Sequence, residues 1–248
     1  MPSKETLCPN CGNVIDPKWK FCPYCGFPLV ENKAEYYIRK SRDLKAKGKL
    51  KDAIAYCEKA LQYEKNEYIH KNIGDTYYLI GVLNKAIYHF RKSIEINDRY
   101  PDAHYALALA YYRSGMLEES IESFEKTIDL NEEFVMAYYW LGIVYYHTGK
   151  YEKSIEYFKK LLNKNPESAI ANYHIGISLN AIGKYEEAID YFKKMERIDP
   201  NHATLFYHLA YAYYMNHQIK EAKSTLKKAL HLNPEDKRVQ ELMGLLSE

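Results

Sequence analysis

The sequence predicts an all-α protein made of consecutive helical hairpins, preceded by a small metal-stabilised module. Three observations lead to this prediction: a period of 34 residues beyond Lys33, low Gly (11) and Pro (9) contents in 248 residues, and four clustered cysteines before residue 26. A fixed period of this length is typical of repeat architectures. Scarce turn-forming residues favour helices over a turn-rich β fold.

Each period is predicted to hold two helices. A glycine separates the helices, and its backbone freedom suits the left-handed conformation that ends a helix; this column is Gly81, Gly115, Gly149 and Gly183, with His217 in the sixth copy. A small residue near the middle of each first helix lets a neighbouring helix come close; this column is Gly74, Ala108, Gly142, Gly176 and Ala210. Prolines stand where the second helix must stop, at Pro166, Pro200 and Pro234.

These columns, with Phe90, Phe124, Phe158 and Phe192 at the same period, resemble the tetratricopeptide repeat. The resemblance implies a right-handed superhelix, an α-solenoid whose first helices line a concave groove that binds protein or peptide. The expected repeats are 34–66, 67–100, 101–134, 135–168, 169–202 and 203–236, with a C-terminal capping helix at 237–248. The first repeat departs from the pattern, with Lys40 at an apolar position and Cys57 in the aromatic column; Cys57 is interpreted as a small core residue.

The cysteines form two C-P-x-C-G knuckles, Cys8 with Cys11 and Cys22 with Cys25. Two residues between cysteines let one tight turn direct both sulfurs at a single ion, so the spacing predicts a four-thiolate metal site. The stretch resembles a short zinc ribbon, within a module at 1–32. Four thiolates leave no open position, which predicts structural Zn²⁺ and not a catalytic ion. Iron is the minority alternative, because rubredoxin-like modules share the knuckle pattern.

Basic charge is concentrated beside this module. The formal net charge is +2, yet residues 33–51 alone carry eight basic and two acidic groups. Lys18, Trp19 and Lys20 could stack a base and hold phosphate. The alternative function is therefore a nucleic-acid-associated factor in which the zinc ribbon and the basic segment 33–51 contact RNA or DNA while the repeats recruit protein. Against it, Trp19 and Phe21 could be the small core of the ribbon, with the lysines solvated. A third interpretation makes the ribbon a cap for the first repeat.

The helical face opposite the buried stripe predicts the partner-binding groove. We expect a tyrosine ladder with a basic mouth, made of Arg42, Lys45, Lys71, Tyr78, Tyr105, Tyr112, Tyr139, Tyr146, Tyr173, Tyr207 and Tyr214. Leu109, Ile143 and Ile177 are expected to form an apolar floor. Tyrosine offers a large contact area and freezes only two side-chain angles on binding.

The sequence contains no nucleophile–base pair and no phosphate-binding glycine loop, so we expect no enzyme and no small-molecule substrate. No apolar run approaches the roughly 18 residues that span a bilayer, and reduced thiols are typical of the cytoplasm. The predicted function is a cytoplasmic protein–protein interaction scaffold that binds a peptide or helical segment.

Overall fold

The computed structural model describes residues 6–16, 18–29 and 33–246. Over these residues it contains thirteen α-helices and two isolated β-bridges, without a longer strand. The all-α fold class predicted from the sequence is therefore confirmed. None of the helices in this part of the chain is long and apolar enough to cross a membrane. The outer ends of the predicted 1–32 module and the last two residues of the predicted capping segment lie outside the described residues.

The first compact unit comprises Met1–Met116. Its cysteine-rich part has two antiparallel bridges, one joining Leu7 to Val14 and the other joining Phe21 to Pro28. Helices α1 and α2 form one hairpin, α3 and α4 form the next, and α5 packs on α4. The bounds are α1 (Lys33–Ala46), α2 (Leu50–Leu61), α3 (Glu67–Leu79), α4 (Leu83–Ile96) and α5 (Pro101–Arg113).

The second compact unit comprises Leu117–Glu248. Three hairpins follow α6 in this unit, and α13 packs on the last of them. The second helices α8, α10 and α12 each end two residues before a proline, as expected for a residue that cannot continue a helix. The bounds are α6 (Leu117–Leu130), α7 (Val135–His147), α8 (Tyr151–Lys164), α9 (Ala169–Ala181), α10 (Tyr185–Ile198), α11 (Ala203–Met215), α12 (Ile219–Leu232) and α13 (Lys237–Leu245).

A close helix approach explains the small residue of the first helices. A Cβ built on Gly176 of α9 would lie 2.4 Å from a ring carbon of Phe192 on α10. The ring of Phe192 is fully buried, so the glycine leaves the space that this ring fills. Gly142 and Phe158 repeat the arrangement in the preceding hairpin.

The turn between the two helices of a hairpin uses a left-handed residue, with a φ of 77° at Gly183. His217 occupies the same place in the last hairpin and takes a φ of 60°. A non-glycine residue pays a steric cost in this conformation. The left-handed turn geometry is thus the same in the last hairpin, where a histidine takes the place of the glycine.

The two residues of the first repeat that depart from the repeat pattern, Cys57 and Lys40, lie in different environments. Cys57 is buried, and its thiol donates a hydrogen bond to Ser41 Oγ at 3.0 Å, in agreement with its interpretation as a core residue. Burial raises the pKa of this thiol. Lys40 stays half-exposed with its ammonium 5.8 Å from the ring centre of Tyr36.

Candidate metal centre and first-helix faces

Each cysteine pair lies on a tight turn that ends in a left-handed glycine. Gly12, with a φ of 73°, donates its N–H to the carbonyl of Cys8 at 2.8 Å. Gly26, with a φ of 71°, donates to the carbonyl of Cys22 at the same distance. The positive φ values are accessible to glycine at low cost, which explains why glycine follows each pair.

The two turns bring all four sulfur atoms together. The Sγ atoms of Cys8 and Cys25 are 3.7 Å apart, as are those of Cys11 and Cys22, and all four lie within 4.8 Å of one another. A tetrahedral ion with metal–sulfur bonds of about 2.3 Å separates its ligands by about 3.8 Å. The donor set and its spacing therefore fit a four-thiolate metal site. Within the described residues, no other group of three or more His, Cys, Asp or Glu side chains converges in this way.

The cysteines of the first knuckle have different environments. Cys8 is buried, and burial raises its pKa to about 11. Cys11 is exposed, and the backbone N–H and side-chain amide of Asn13 lower its pKa to about 6. The Asn13 amide lies 3.3 Å from Cys11 Sγ. Donors of this kind favour the thiolate, which is the form that binds a metal.

The metal centre also contacts helix α1. The side-chain amide of Asn10 donates to Cys25 Sγ at 3.4 Å and to the hydroxyl of Tyr36 at 3.3 Å. The Tyr36 hydroxyl donates in turn to the carbonyl of Cys25 at 2.8 Å. No sequence pattern indicated these contacts, because they join residues 11 or more positions apart.

Residues 18–21, which lie just before the second knuckle, are exposed. Lys18, Trp19 and Lys20 are exposed, and Asp16 holds the turn by accepting from the backbone N–H of Lys18 at 2.9 Å. Trp19 is 40% exposed and Phe21 is 62% exposed. The interpretation of Trp19 and Phe21 as the core of the ribbon is therefore wrong. Among the described residues of this module, the buried ones are Cys8, Ile15, Cys22, Phe27 and Pro28.

The first-helix faces of unit 1 carry many charges. Of the basic residues predicted to line a groove, Arg42 is exposed, while Lys71 forms an ion pair with Asp75 at 3.0 Å. The guanidinium of Arg113 lies 4.5 Å from the ring centre of Tyr78. The remaining predicted residues of this unit, Lys45, Tyr105 and Tyr112, are half-buried.

The corresponding face of unit 2 is uncharged; we call it the unit-2 face. It is defined by positions at helical spacing on three neighbouring first helices, which are Met136, Tyr139, Ile143 and Tyr146 on α7, Ile170, Tyr173, Ile177 and Asn180 on α9, and Thr204, Tyr207, Tyr211 and Tyr214 on α11. Its tyrosines are all half-buried. Ile143 and Ile177 of the predicted apolar floor are buried, and the exposed apolar side chains are instead Met136 (48%) and Ile170 (46%).

Two further features were not anticipated from the sequence. Arg238 of α13 stacks 4.7 Å from the ring centre of Tyr207 and pairs with Asp236 at 2.7 Å, so an ion pair lies at the end of the otherwise uncharged unit-2 face. In unit 1, the Nδ1 atoms of His70 and His89 lie 3.1 Å apart. Burial lowers the pKa of His89 to about 4. Helical periodicity predicts the helix on which each of these residues lies, but it does not predict which of them are in contact.

Family models match most of the chain. The first matched segment, residues 7–29, fits a model described as a zinc-ribbon domain. The remaining matches are to models described as the tetratricopeptide repeat or TPR repeat, at residues 34–67, 74–115, 105–164, 149–203 and 179–246. A serine/threonine-protein kinase of Bos taurus, VRK3, is 55% identical over 29 residues, which are 12% of this chain and 6% of that protein. The chain thus spans only a small fraction of that relative.

Solved structures share the helical-hairpin fold. YrrB, described as a TPR protein with an unusual peptide-binding site, matches with a TM-score of 0.68 and 22% identity over 75% of this chain and 96% of its own. MamA matches with a TM-score of 0.64 and 28% identity over 69% of this chain and 94% of its own. A tetratricopeptide repeat protein of Parabacteroides merdae matches with a TM-score of 0.67 and 20% identity over 87% of this chain and 99% of its own.

Proposed function

Because the chain belongs to the tetratricopeptide repeat family and begins with a zinc-ribbon match, we propose that it is a non-enzymatic interaction scaffold that binds a peptide or helical segment. We keep the six repeat spans expected from the sequence as part of this proposal. The four-cysteine cluster is arranged to hold a metal ion, and cysteines used in this way are typical of a reducing compartment, so we also propose a cytoplasmic location.

The observation that carries this proposal is the composition of the unit-2 face. None of its members is charged, whereas the corresponding positions of unit 1 include Glu35, Arg42, Lys45, Lys71, Asp75 and Asp102. Half-buried tyrosines with neighbouring exposed Met136 and Ile170 resemble the centre of an interface, from which charged residues are depleted. We therefore propose that unit 2 takes a segment with apolar or aromatic anchors. The peptide-binding site named for YrrB supports a peptide as the ligand class.

The test uses a random peptide library selected on the whole chain, followed by affinity measurement with the selected peptide. Ile170→Lys places a charge on the unit-2 face at an exposed position, so the fold is retained while binding should fall by at least tenfold. Ile198→Lys is the matched control, since Ile198 is 44% exposed on the second helix α10. Equal affinities of the two variants would remove the unit-2 face from the proposal.

A second candidate function has its own observation. Trp19 and Phe21 are exposed and alternate along the chain with the exposed Lys18 and Lys20, and aromatic side chains interleaved with lysines suit single-stranded nucleic acid. We propose this as the alternative role of the ribbon. A labelled oligouridine titrated at increasing salt tests it, because phosphate contacts weaken with salt. The Lys18→Glu, Lys20→Glu double variant should then lose binding, and salt-independent or absent binding would exclude the role.

For the metal, we propose structural Zn²⁺ held by Cys8, Cys11, Cys22 and Cys25. The sulfur spacing and the four-thiolate donor set support it. An ion with four protein ligands has no position for a substrate, so its contribution would be folding free energy.

A further inference from the structure

The cysteine-rich module shares its core with the first helical hairpin. We infer that the metal-loaded ribbon is the N-terminal cap of the repeats, and that Asn10 couples metal occupancy to the docking of the ribbon on α1. This inference concerns contacts within unit 1 and does not depend on the ligand of the unit-2 face.

The docking surface is small and apolar. Phe27 of the ribbon is fully buried, with its ring centre 5.2 Å from that of Tyr36 and 5.3 Å from that of Tyr37. Ile15 and Cys22 belong to the same core cluster as Ile54 and Cys57 of the hairpin. Separation of the ribbon from α1 would expose these apolar side chains to water, and the hydrophobic effect opposes this exposure.

The ribbon alone has too few apolar side chains to hold this surface in place. Ile15 and Phe27 are buried side chains from different knuckles, and each knuckle has only one isolated β-bridge among the described residues. An ion bound by Cys8 and Cys11 from one knuckle and by Cys22 and Cys25 from the other would cross-link them. The apolar docking surface is therefore assembled by the metal.

Asn10 connects this cross-link to the helix. Its amide has two N–H groups, and they meet one sulfur, Cys25 Sγ, and one helix residue, the Tyr36 hydroxyl. The Tyr36 hydroxyl also reaches the carbonyl of Cys25, so the three residues form a closed set of hydrogen bonds. When the second knuckle loses its ion, the acceptor positions for Asn10 and Tyr36 are no longer held together.

Asn13 offers a matched comparison on the other side of the centre. Its amide donates to Cys11 Sγ at 3.3 Å, similar to the 3.4 Å of Asn10 to Cys25 Sγ. The described hydrogen bonds of Asn13 stay within its own knuckle. Asn10 and Asn13 thus make the same contact with sulfur, and of the two only Asn10 has a described hydrogen bond to α1.

The end position of the first hairpin explains why a cap is needed. Ile69 and Ile73 of α3 are fully buried, and α2 of the preceding hairpin packs on this helix. The equivalent residues of α1 are Tyr36 and Lys40. The ribbon covers Tyr36, which is 5% exposed, while Lys40 remains half-exposed. End repeats generally need such protection.

Hydrogen exchange on the full chain, with zinc and after chelation, tests the coupling. Chelation should raise the exchange rate of backbone amides in 33–61 at least tenfold, since this segment loses its cap. The amides of α9 and α10 should keep their rates and serve as the internal reference. Unchanged protection of 33–61 in the chelated protein would overturn the inference.

Three variants distinguish the loss of the Asn10 hydrogen bonds from a general loss of metal binding. At saturating zinc, Asn10→Ala should retain about one zinc for each chain and still raise exchange in 33–61 by roughly fivefold, as expected for the loss of its one described hydrogen bond to α1. Tyr36→Phe, which keeps the ring and removes the hydroxyl, should act in the same direction. Asn13→Ala should leave exchange in 33–61 unchanged. Identical exchange in the Asn10 and Asn13 variants would refute the assigned role of Asn10.

Discussion

The imidazole of His174 lies flat on the ring of Phe158, with ring centres 4.9 Å apart and planes inclined by 8°. Tyr139 meets the same imidazole edge-on at 6.0 Å. The next repeat has the same arrangement, in which His208 stacks on Phe192 at 6.3 Å and Tyr173 approaches His208 at 5.7 Å. The first-helix tyrosines Tyr139 and Tyr173 therefore also hold neighbouring repeats of unit 2 together.

These histidines predict acid sensitivity. Burial lowers the pKa of His174 and of His208 to about 4, from 6.5 in an exposed imidazole. Between these values the unfolded chain binds protons that the folded chain does not, so stability is lost as the pH falls from 6.5 towards 4. We expect a loss of about 1–2 kcal/mol for each histidine at pH 5, measured by urea unfolding at pH 7.5 and pH 5.

His174→Phe keeps a stacked ring that does not titrate, so the pH dependence of its unfolding free energy should be smaller than that of the unaltered chain. His231→Gln is the control, because His231 is exposed, and it should leave the pH dependence unchanged. A steep pH dependence that persists in the His174 variant would show that other groups cause it.

The helix contact at Gly176 predicts a costly substitution. In Gly176→Ala the new Cβ would meet three carbons of the Phe192 ring at 2.4–2.7 Å, so the ring or the helix must move. Overpacking of this kind costs about 1–3 kcal/mol, which the better helix propensity of alanine offsets only by about 1 kcal/mol. Thermal and urea unfolding should show a net loss. Gly244→Ala, whose Cβ has no neighbour within 4 Å, should be neutral or stabilising.

The left-handed histidine predicts a stabilising substitution. Because His217 has a φ of 60°, His217→Gly should relieve steric cost and raise the unfolding free energy by about 1 kcal/mol. Gly183→Ala, at the equivalent turn with a φ of 77°, should lower it by a similar amount. A destabilised His217→Gly protein in urea titration would mean that the side chain of His217 contributes more than its backbone costs.

The sulfur cluster predicts a stoichiometric metal. Elemental analysis of the purified chain should find about one zinc for each polypeptide, and Cys11→Ser with Cys25→Ser should reduce it to near zero. Strong visible absorption from a thiolate–iron centre would instead identify iron. Acidification should release the ion, because its ligands must be deprotonated to bind.

Much of the fold follows from spacing along the chain. The period of 34 residues located the hairpin turns, including the one at His217, and the C-x₂-C pairs located the metal cluster. The sequence interpretation failed for Trp19 and Phe21 because an aromatic residue in a short module packs inwards or outwards according to its neighbours. It also missed the exposed Met136 and Ile170, since helical periodicity assigns a face but not the depth of each side chain in it.

The sequence by itself determined what depends on local geometry: helical hairpins, their glycine turns and two knuckles able to hold one ion. Turn conformation and the ligand spacing within each knuckle depend on residues a few positions apart, so the sequence alone is enough to predict them. Only the tertiary structure decided which distant side chains meet, such as Asn10 with Tyr36 and His174 with Phe158. Those contacts depend on the packing of whole elements against one another, and periodicity carries no information on which side chains that packing brings into contact.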